Sequence, residues 1–395
     1  MTHNNQLTLE IEKSTVSDLV CFCHLRWDFV YQRPQHLMSR FARQYRVFFI
    51  EEPLFHSGED CYCVKLTDEK IWVVTPYLDE RIDKEKPLLW RQKNLMSSLF
   101  VQFNIHRFIA WYYTPMALKI SSHLKADMII YDCMDELSAF KFAPAELKIM
   151  ETELFKKAHL AFTGGQSLYE SKKSLHHNIY PFPSSIDKEH FRKGREKLNI
   201  PEDQANISGL KLGFYGVIDE RFNISLIKEV AEKNPEWQLI LIGPVIKIDP
   251  ADLPALPNIH YLGNKSYKEL PVYLSGWDMA MIPFEKNEST KFISPTKTPE
   301  YLASGKPVIS SSIMDVVSPY GERGLVYIAD TTDDFIKAVK RELSRSKQEV
   351  AHWLKRVDAF MKNMSWDHTS TQMQELINES LSEISENKAG FRSVA

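Results

Sequence analysis

The chain has 395 residues, of which 44% are hydrophobic and 26% charged, enough for two domains of ordinary size with a core each. Its 49 basic side chains nearly balance 52 acidic ones, which gives no overall attraction to nucleic acid, so we predict no nucleic-acid partner. The polar N-terminus lacks the pattern of a signal peptide, and no apolar run is long enough for a membrane span. We therefore expect a cytoplasmic protein.

Short apolar runs alternate with helical patterns in the first half, which is typical of a parallel α/β sheet. A polar and aromatic loop, His24–Gln32, leads into a helix predicted over Arg33–Arg46, with Pro34 in its first turn. The strands predicted in this half are Leu19–Cys23, Val47–Ile50, Ile71–Val74, Phe108–Trp111, Met128–Tyr131 and Leu160–Thr163.

The same pattern restarts near Gly209, after a stretch rich in proline, serine and charge (Phe182–Asn206) that we interpret as a linker. The predicted strands are then Leu212–Tyr215, Gln238–Ile242, His260–Leu262, Met279–Ile282 and Val308–Ser311. The predicted helices are Ile224–Lys233, Lys268–Ser275, Pro299–Ser304, Asp333–Ser344 and Val350–Met361. Two doubly wound halves would face each other across a cleft, with ligands at the carboxyl ends of the strands.

Four of the five cysteines form two Cys-x-Cys pairs, Cys21 with Cys23 and Cys61 with Cys63. Zinc sites usually separate paired cysteines by two or more residues. Side chains alternate along a strand, so each pair would share one strand face. We therefore expect buried strand thiols and no metal site.

The strongest local signal is Phe292–Ser311, where a helix of about two turns is predicted with Thr298 as its N-cap and Pro299 at its first position. The residues before it offer backbone N–H groups, hydroxyls and the Lys297 ammonium, a combination that suits a diphosphate. Glu300 would accept hydrogen bonds from a ribose diol. The alternative is a capped surface helix in which Glu300 only favours the helix dipole.

The run from Glu300 to Val308 (EYLASGKPV) resembles the nucleotide-sugar site of retaining GT-B glycosyltransferases, family 4 or group 1 type. In that family a first glutamate stands eight residues earlier, where this chain has Phe292; Glu288 lies nearby and could stand in for it. Further stretches resemble a bacterial branch similar to teichuronic-acid-type transferases. They are Trp27–Leu37 (WDFVYQRPQHL), Tyr131–Asp135, Pro183–Asp187 with His190 and Phe191, and Ser365–Asp367.

This resemblance implies an α/β architecture of the GT-B type, with two Rossmann-like doubly wound domains facing across a cleft. Residues 1–190 would form the acceptor-side domain and 191–362 the nucleotide-sugar domain. Residues 363–395 would form a helix that crosses back to the first domain, followed by a polar tail. The implied activity moves a sugar from a UDP- or GDP-linked donor to a saccharide or lipid-linked saccharide acceptor, in cell-envelope, exopolysaccharide or glycolipid biosynthesis. Retention of configuration and independence of metal or other cofactors are also implied.

Three groups of site residues follow from the resemblance and from the chemistry of the side chains. The catalytic candidates are Lys297, Arg221 and Asp135. The donor-binding candidates are Gly216, Arg221, Gly243, Ser294, Pro295, Thr296, Lys297, Thr298 and Glu300. The acceptor-binding candidates are Trp27, Tyr31, Gln32, Arg33 and His36, since aromatic faces suit sugar rings and arginine suits phosphate.

Less specific interpretations of the same residues stay open at this point. Arg221 could be a solvated loop charge, Asp132 a loop cap, and Trp27 and Tyr31 core residues. The basic stretch Arg26, Arg33, Arg40, Arg43 and Arg46 could be solvated, or could touch anionic lipid at the inner face of the cell membrane. Two other functions also remain, namely a nucleotide-sugar epimerase on the same fold and a catalytically silent nucleotide-sugar-binding scaffold.

Overall fold

Two mostly parallel sheets organise the computed structural model, which describes residues 16–81 and 86–392, with side chains up to residue 387. The strands of the first sheet are β1 (Asp18–Phe22), β2 (Arg46–Ile50), β3 (Leu54–His56), β4 (Cys61–Leu66), β5 (Ile71–Asp79), β6 (Phe108–Tyr112), β7 (Met128–Cys133), β8 (Leu160–Thr163) and β9 (Ile179–Pro181). Their order is β3-β5-β2-β1-β6-β7-β8-β9, and β4 pairs antiparallel with β5.

The second sheet has six strands in the order β12-β11-β10-β13-β14-β15, all parallel. These strands are β10 (Leu210–Tyr215), β11 (Trp237–Ile242), β12 (Ile259–Tyr261), β13 (Met279–Ile282), β14 (Val308–Ser310) and β15 (Tyr327–Ile328). The predicted fold class is confirmed, because each half of the chain forms its own parallel α/β sheet.

Helices cover both sheets and connect their strands, as expected for doubly wound domains. The helices of the first half are α1 (Arg33–Phe41), α2 (Leu88–Gln102), α3 (Leu118–Ser121), α4 (Leu147–Lys157), α5 (Gln166–Lys172), α6 (Lys188–Arg192) and α7 (Glu202–Ala205). Those of the second half are α8 (Ile224–Lys233), α9 (Leu270–Ser275), α10 (Lys297–Ala303), α11 (Met314–Val316), α12 (Thr332–Leu343), α13 (Lys347–Phe360) and α14 (Trp366–Arg392). None of the helices within the described ranges is long and apolar enough to cross a membrane.

The last helix returns to the first domain, as predicted. Trp366, Met373 and Ile377 of α14 are fully buried in the same core cluster as Leu19, Trp111 and other first-domain residues. Burying each such side chain contributes about 1.5–3 kcal/mol, so α14 is held firmly against the first domain.

Helix α1 is shorter than predicted, because it ends at Phe41 and the chain then turns into β2 at Arg46. The N–H groups of Ala42 and Gln44 bond back to carbonyls of Met38 and Phe41 and close the helix. Arg46 begins the strand instead, where its Nε lies 2.7 Å from Oδ1 of the buried Asp18.

The cysteine prediction is right for one pair and wrong for the other. Cys21 and Cys23 are buried beside the cleft end of β1, whereas Cys61 and Cys63 are exposed. The second pair lies on β4, which pairs with β5 alone, so the face that carries these thiols is open to solvent. No group of three or more side chains suited to a metal ion occurs in the described residues.

Candidate functional site

A cavity of about 600 Å³ lies between the two domains. The first domain lines it with the loop after β1 and the turn between β4 and β5; these are residues 27–32 and 65–69. The second domain contributes loops that follow β10 and β12 and the start of α10; these are residues 215–217, 221, 264–267, 270, 296, 297 and 300. Most of this lining comes from the carboxyl ends of strands, where α/β sheets bind ligands.

Lys297 extends along the cavity floor against the glycine turn after β10. Its Nζ lies 5.6 Å from the ring centroids of both Phe214 and Phe284, and the described residues include no carboxylate in ion-pair contact with it. Burial and the nearby Arg221 lower the pKa of Lys297. A bound anion would relieve both effects, so this ammonium suits a negatively charged ligand.

Arg221 lies at the same end of the cavity, in the loop after β10. Its Nη2 is 2.7 Å from Oδ2 of Asp219, and its guanidinium lies 5.2 Å from the ring of Phe140, which belongs to the first domain. The side chain is 20% exposed, so the alternative of a solvated loop charge is wrong. Arg221 and Lys297 therefore form a pair of cations at the domain boundary.

Glu300 is 3% exposed at the cavity wall and accepts a hydrogen bond from the hydroxyl of Tyr215. Burial raises the pKa of Glu300. Tyr215 therefore engages one of the two carboxylate oxygens of this cavity-lining residue. Sequence reasoning did not assign a role to Tyr215, although its position at the end of a central strand was a usable signal.

Helix α10 begins at Lys297, two residues before the predicted start. Thr296, in place of Thr298, is the residue that precedes the helix. Thr298 is fully buried, and no described residue forms a hydrogen bond with its hydroxyl. The N-cap prediction for Thr298 is therefore wrong. Thr296 lines the cavity, so the helix start still faces the ligand space.

Ser294 and Pro295 do not line the cavity. Ser294 accepts hydrogen bonds from Ser184, whose backbone nitrogen lies 3.3 Å from the Ser294 hydroxyl. This contact ties the segment before α10 to the segment that follows β9. Ser294 thus joins the two halves of the chain, which corrects its assignment to the donor.

Gly243 does not line the cavity but packs against Gly216, which does. Its φ is +138°, and a Cβ there would lie 1.9 Å from the carbonyl oxygen of Gly216. Only glycine permits this contact between the turns after β10 and β11. Gly216, in contrast, lines the cavity directly.

Asp135 lies beyond the end of β7 on the first-domain side of the cations. Burial raises its pKa to about 6, while Arg221, Arg33 and Lys297 oppose that rise. Asp135 therefore lies close to two cavity cations but is not among the cavity-lining residues.

Three of the acceptor candidates line the cavity, namely Trp27, Tyr31 and Gln32. Trp27 is 6% exposed, packs on Phe49 at 5.1 Å and donates its backbone N–H to Glu51, so it is largely a core residue. Tyr31 stacks on Tyr267 of the second domain, with ring centroids 4.6 Å apart. Tyr31 is therefore both a cavity residue and a contact between the domains.

The prediction that Arg33 binds the acceptor is wrong. It is 4% exposed, its Nη2 lies 2.8 Å from Oδ1 of the fully buried Asp132, and its Nη1 donates to the Phe182 carbonyl at 2.6 Å. The guanidinium joins α1 to the ends of β7 and β9. Asp132 is consequently an ion-pair partner and does not cap a loop.

The prediction that His36 binds the acceptor is also wrong. It is 1% exposed and stacks on Trp366 of α14 at 4.8 Å, with the edge of Tyr267 at 5.3 Å. Burial lowers the pKa of His36. The ring belongs to the aromatic contact between the domains and does not line the cavity.

Two cavity elements were missed by the sequence prediction. One is Tyr267, which also stacks on His190 at 4.5 Å and whose buried hydroxyl has no hydrogen-bond partner among the described residues. The other is the turn at residues 65–69, because the strand position of Cys61 and Cys63 was predicted but the antiparallel pairing of β4 with β5 was not. Tyr267 follows the strand that ends at Tyr261, so its position could have been found from strand order.

The arginine stretch that was considered for lipid contact is engaged in ion pairs. Arg26 pairs with Glu51, Arg33 with Asp132, both Arg40 and Arg43 with Asp367, and Arg46 with Asp18. Four carboxylates thus pair with the five arginines, so the stretch offers little free positive charge.

Solved structures with the same architecture cover nearly the whole chain. Sucrose-phosphate synthase from Thermosynechococcus elongatus is 14% identical, with a TM-score of 0.68 over 93% of this chain and 100% of that one. Anabaena Alr3699/HepE in complex with UDP-glucose is 12% identical, with a TM-score of 0.67 over 92% of this chain and 99% of that one. At these identities the likeness establishes the fold.

Sequence comparison adds the family. A Bacillus subtilis (strain 168) protein named "Putative teichuronic acid biosynthesis glycosyltransferase TuaH" is 25% identical over 270 residues, which cover 64% of this chain and 68% of that protein. Residues 212–345 match the family Glycosyl transferases group 1. This segment, about a third of the chain, is similar to a group 1 glycosyltransferase domain. The chain as a whole has the GT-B architecture.

The group 1 domain contains every cavity residue contributed by the second half of the chain. At the position of the family's first glutamate, Phe292 packs against the hydrophobic cluster of the first domain. Glu288 does not replace that glutamate, because its side chain is 78% exposed and pairs with Lys291 at 3.8 Å. The group 1 domain of this chain therefore uses this position for a contact between domains.

Proposed function

We propose that the protein transfers a sugar from a nucleotide-sugar donor to a saccharide or lipid-linked saccharide acceptor, in cell-envelope, exopolysaccharide or glycolipid biosynthesis. The observation that carries this proposal is the pair of cations, Lys297 and Arg221, at one end of a cavity between two domains. A diphosphate leaving group gains negative charge as the glycosidic bond breaks, and fixed cations stabilise that charge. The named similarities to a teichuronic acid transferase and to a UDP-glucose complex support the same class.

The donor binds mainly to the second domain in this proposal. Lys297, Arg221 and the N–H groups at the start of α10 hold the diphosphate, and Glu300 accepts from the ribose. The glycine turn at Gly216 lets the phosphates approach the backbone. The base lies near the turn after β11, and both UDP- and GDP-linked donors remain compatible with it.

The acceptor approaches from the first domain, where Tyr31 and Gln32 line the cavity. Attack occurs on the face from which the diphosphate departs, so that the anomeric configuration is retained. Asp135 forms a polar contact to the reacting sugar. No metal ion is needed in this scheme, because the two cations and the helix start meet the charge of the diphosphate.

Product analysis tests the proposal directly. The protein is incubated with radiolabelled UDP-glucose or GDP-mannose in EDTA, with and without a lipid extract and simple glycosides as acceptors. Label on an acceptor, with the anomeric configuration of the donor, is the expected result. Conversion of the donor sugar without acceptor would instead indicate an epimerase, and tight donor binding without any product would indicate a silent scaffold.

A further inference from the structure

A second depression, of about 750 Å³, lies on the second domain and shares no lining residue with the interdomain cavity. It is bounded by the edge strand β15, the end of α12 and one face of α13. Its lining includes three arginines and one histidine, namely Arg341, Arg345, Arg356 and His352. His352 and Arg356 are four residues apart on α13, so they share one helix face.

Aromatic rings pack against the guanidinium groups of Arg341 and Arg345. The guanidinium carbon of Arg341 lies 5.9 Å from the ring of Tyr327, and that of Arg345 lies 5.5 Å from the ring of Trp353. Trp353 is itself fixed, because its indole N–H donates to the Leu325 carbonyl at 3.1 Å. Arg345 also donates hydrogen bonds to the Glu342 carboxylate and to the Glu349 carbonyl, so its N–H groups are largely engaged. Arg341 has no carboxylate partner among the described residues, and a guanidinium stacked on a ring can still donate in its plane to phosphate oxygens.

The acidic side chains nearby are already engaged. Glu342 pairs with Arg345 at 2.7 Å, and Glu349 caps α13 by accepting hydrogen bonds from Ser346. Within the part of the chain that the structure describes, no ion pair joins Arg341 or Arg356 to a carboxylate. Both arginines are exposed, so they give this face a positive charge on a chain whose net charge is −3.

Apolar side chains accompany the charges. Ile328 lines the depression and is 36% exposed, and Leu343, at the end of α12, is 53% exposed. A phospholipid surface presents phosphate groups above an apolar layer, so it would match both the arginines and the exposed apolar side chains. A free phosphate would need neither the apolar residues nor so wide a depression.

We propose that this basic face, formed by Arg341, Arg345, His352 and Arg356, binds the headgroups of an anionic phospholipid bilayer. It would provide the membrane contact that the ion-paired arginine stretch near the N-terminus does not. The proposal is independent of the sugar-transfer reaction, because the face lies outside the interdomain cavity.

Vesicle co-sedimentation of the full chain tests this assignment. The probes are vesicles of phosphatidylglycerol mixed with phosphatidylcholine, and vesicles of phosphatidylcholine alone. Wild type should bind only the anionic vesicles and dissociate at high salt. Neutralising the two arginines that have no carboxylate partner in the described residues (Arg341→Gln with Arg356→Gln) should weaken binding about 25-fold, since each base near an anionic surface contributes about fivefold.

The matched control removes two exposed lysines from the first domain (Lys125→Gln with Lys148→Gln), so that the net charge changes equally. This control should bind like wild type, and all variants should keep the wild-type melting temperature. The proposal is overturned if the arginine variant binds as tightly as wild type, or if the control loses as much. Binding to soluble polygalacturonate but not to the anionic vesicles would also overturn it and would assign the face to an anionic polysaccharide.

Discussion

Lys297 and Gly216 fit against each other so closely that a Cβ on Gly216 would lie 2.3 Å from Cε and 2.7 Å from Nζ of Lys297. Gly216 lies in the turn after β10 and Lys297 begins α10, so the two residues are far apart in the sequence. Their contact places an ammonium beside a turn that has a φ of +138° and can therefore approach a phosphate.

Replacing Gly216 by alanine should displace Lys297 and weaken donor binding, with at least a tenfold rise in the Kd for the nucleotide. Gly263→Ala is the matched control, because Gly263 also has a positive φ (+70°) but a Cβ there would meet no atom within 4 Å. Both variants carry backbone strain of about 1–2 kcal/mol. Calorimetric titration should therefore show a loss of affinity for the first variant only, and equal losses would refute the role of the contact.

The Arg33–Asp132 ion pair should be a major source of stability in the first domain. Asp132→Asn leaves a buried guanidinium without its carboxylate, which costs about 3–5 kcal/mol when a buried pair is broken. Thermal unfolding should show a large drop in the melting temperature, whereas Asp28→Asn, in an exposed pair with Lys65, should leave it unchanged. An unchanged melting temperature for Asp132→Asn would mean that the pair is not stabilising.

Activity should decrease as the pH falls through about 6, because Asp135 then loses its negative charge. In the Asp135→Asn variant, this decrease of kcat/KM at acidic pH (the acidic limb) should be absent. The remaining activity should be low at every pH. The contribution of Asp135 to the free energy of unfolding should change with pH in the opposite direction. The pKa of Asp135 is raised above 3.8, so its contribution to folding is greatest at low pH and is lost as the pH rises through about 6. An acidic limb that persists in the variant would assign it to another group.

The stacked pair Tyr31 and Tyr267 should couple acceptor binding to the contact between domains. Tyr31→Ala should raise the acceptor KM and the hydrolysis of the donor about two- to tenfold, the range expected for an aromatic pair worth 0.5–1.5 kcal/mol. Donor affinity should stay unchanged, and Tyr31→Phe should behave like wild type. A change in donor affinity alone would contradict this assignment.

Local patterns predicted the regular elements well where apolar runs have clear ends. The strands Leu160–Thr163 and Met279–Ile282 and the helix Ile224–Lys233 begin and end as predicted. The strand that carries Cys61 and Cys63 was expected to be buried, but β4 is an exposed edge strand without a continuous apolar run. Because its antiparallel pairing with β5 was not predicted, the turn that lines the cavity was also missed.

The candidate site was predicted only in part, since a sequence does not show which charges pair with each other. Lys297, Arg221, Glu300 and Tyr31 were placed in the cavity by residue type and by resemblance. Arg33 was assigned to the acceptor because its partner, Asp132, lies 99 residues later in the chain. Partners so distant in sequence are found only when the fold is known.

The most direct test of the donor site is calorimetric titration of UDP, GDP and ADP in EDTA, with wild type, Lys297→Met and Lys291→Met. Lys291 is the matched control, because it is an exposed lysine of the same segment that lies outside the cavity. We expect wild type and Lys291→Met to bind one nucleotide equally well, and Lys297→Met to bind it at least tenfold more weakly. Equal binding by all three proteins, or no binding by wild type, would contradict the account.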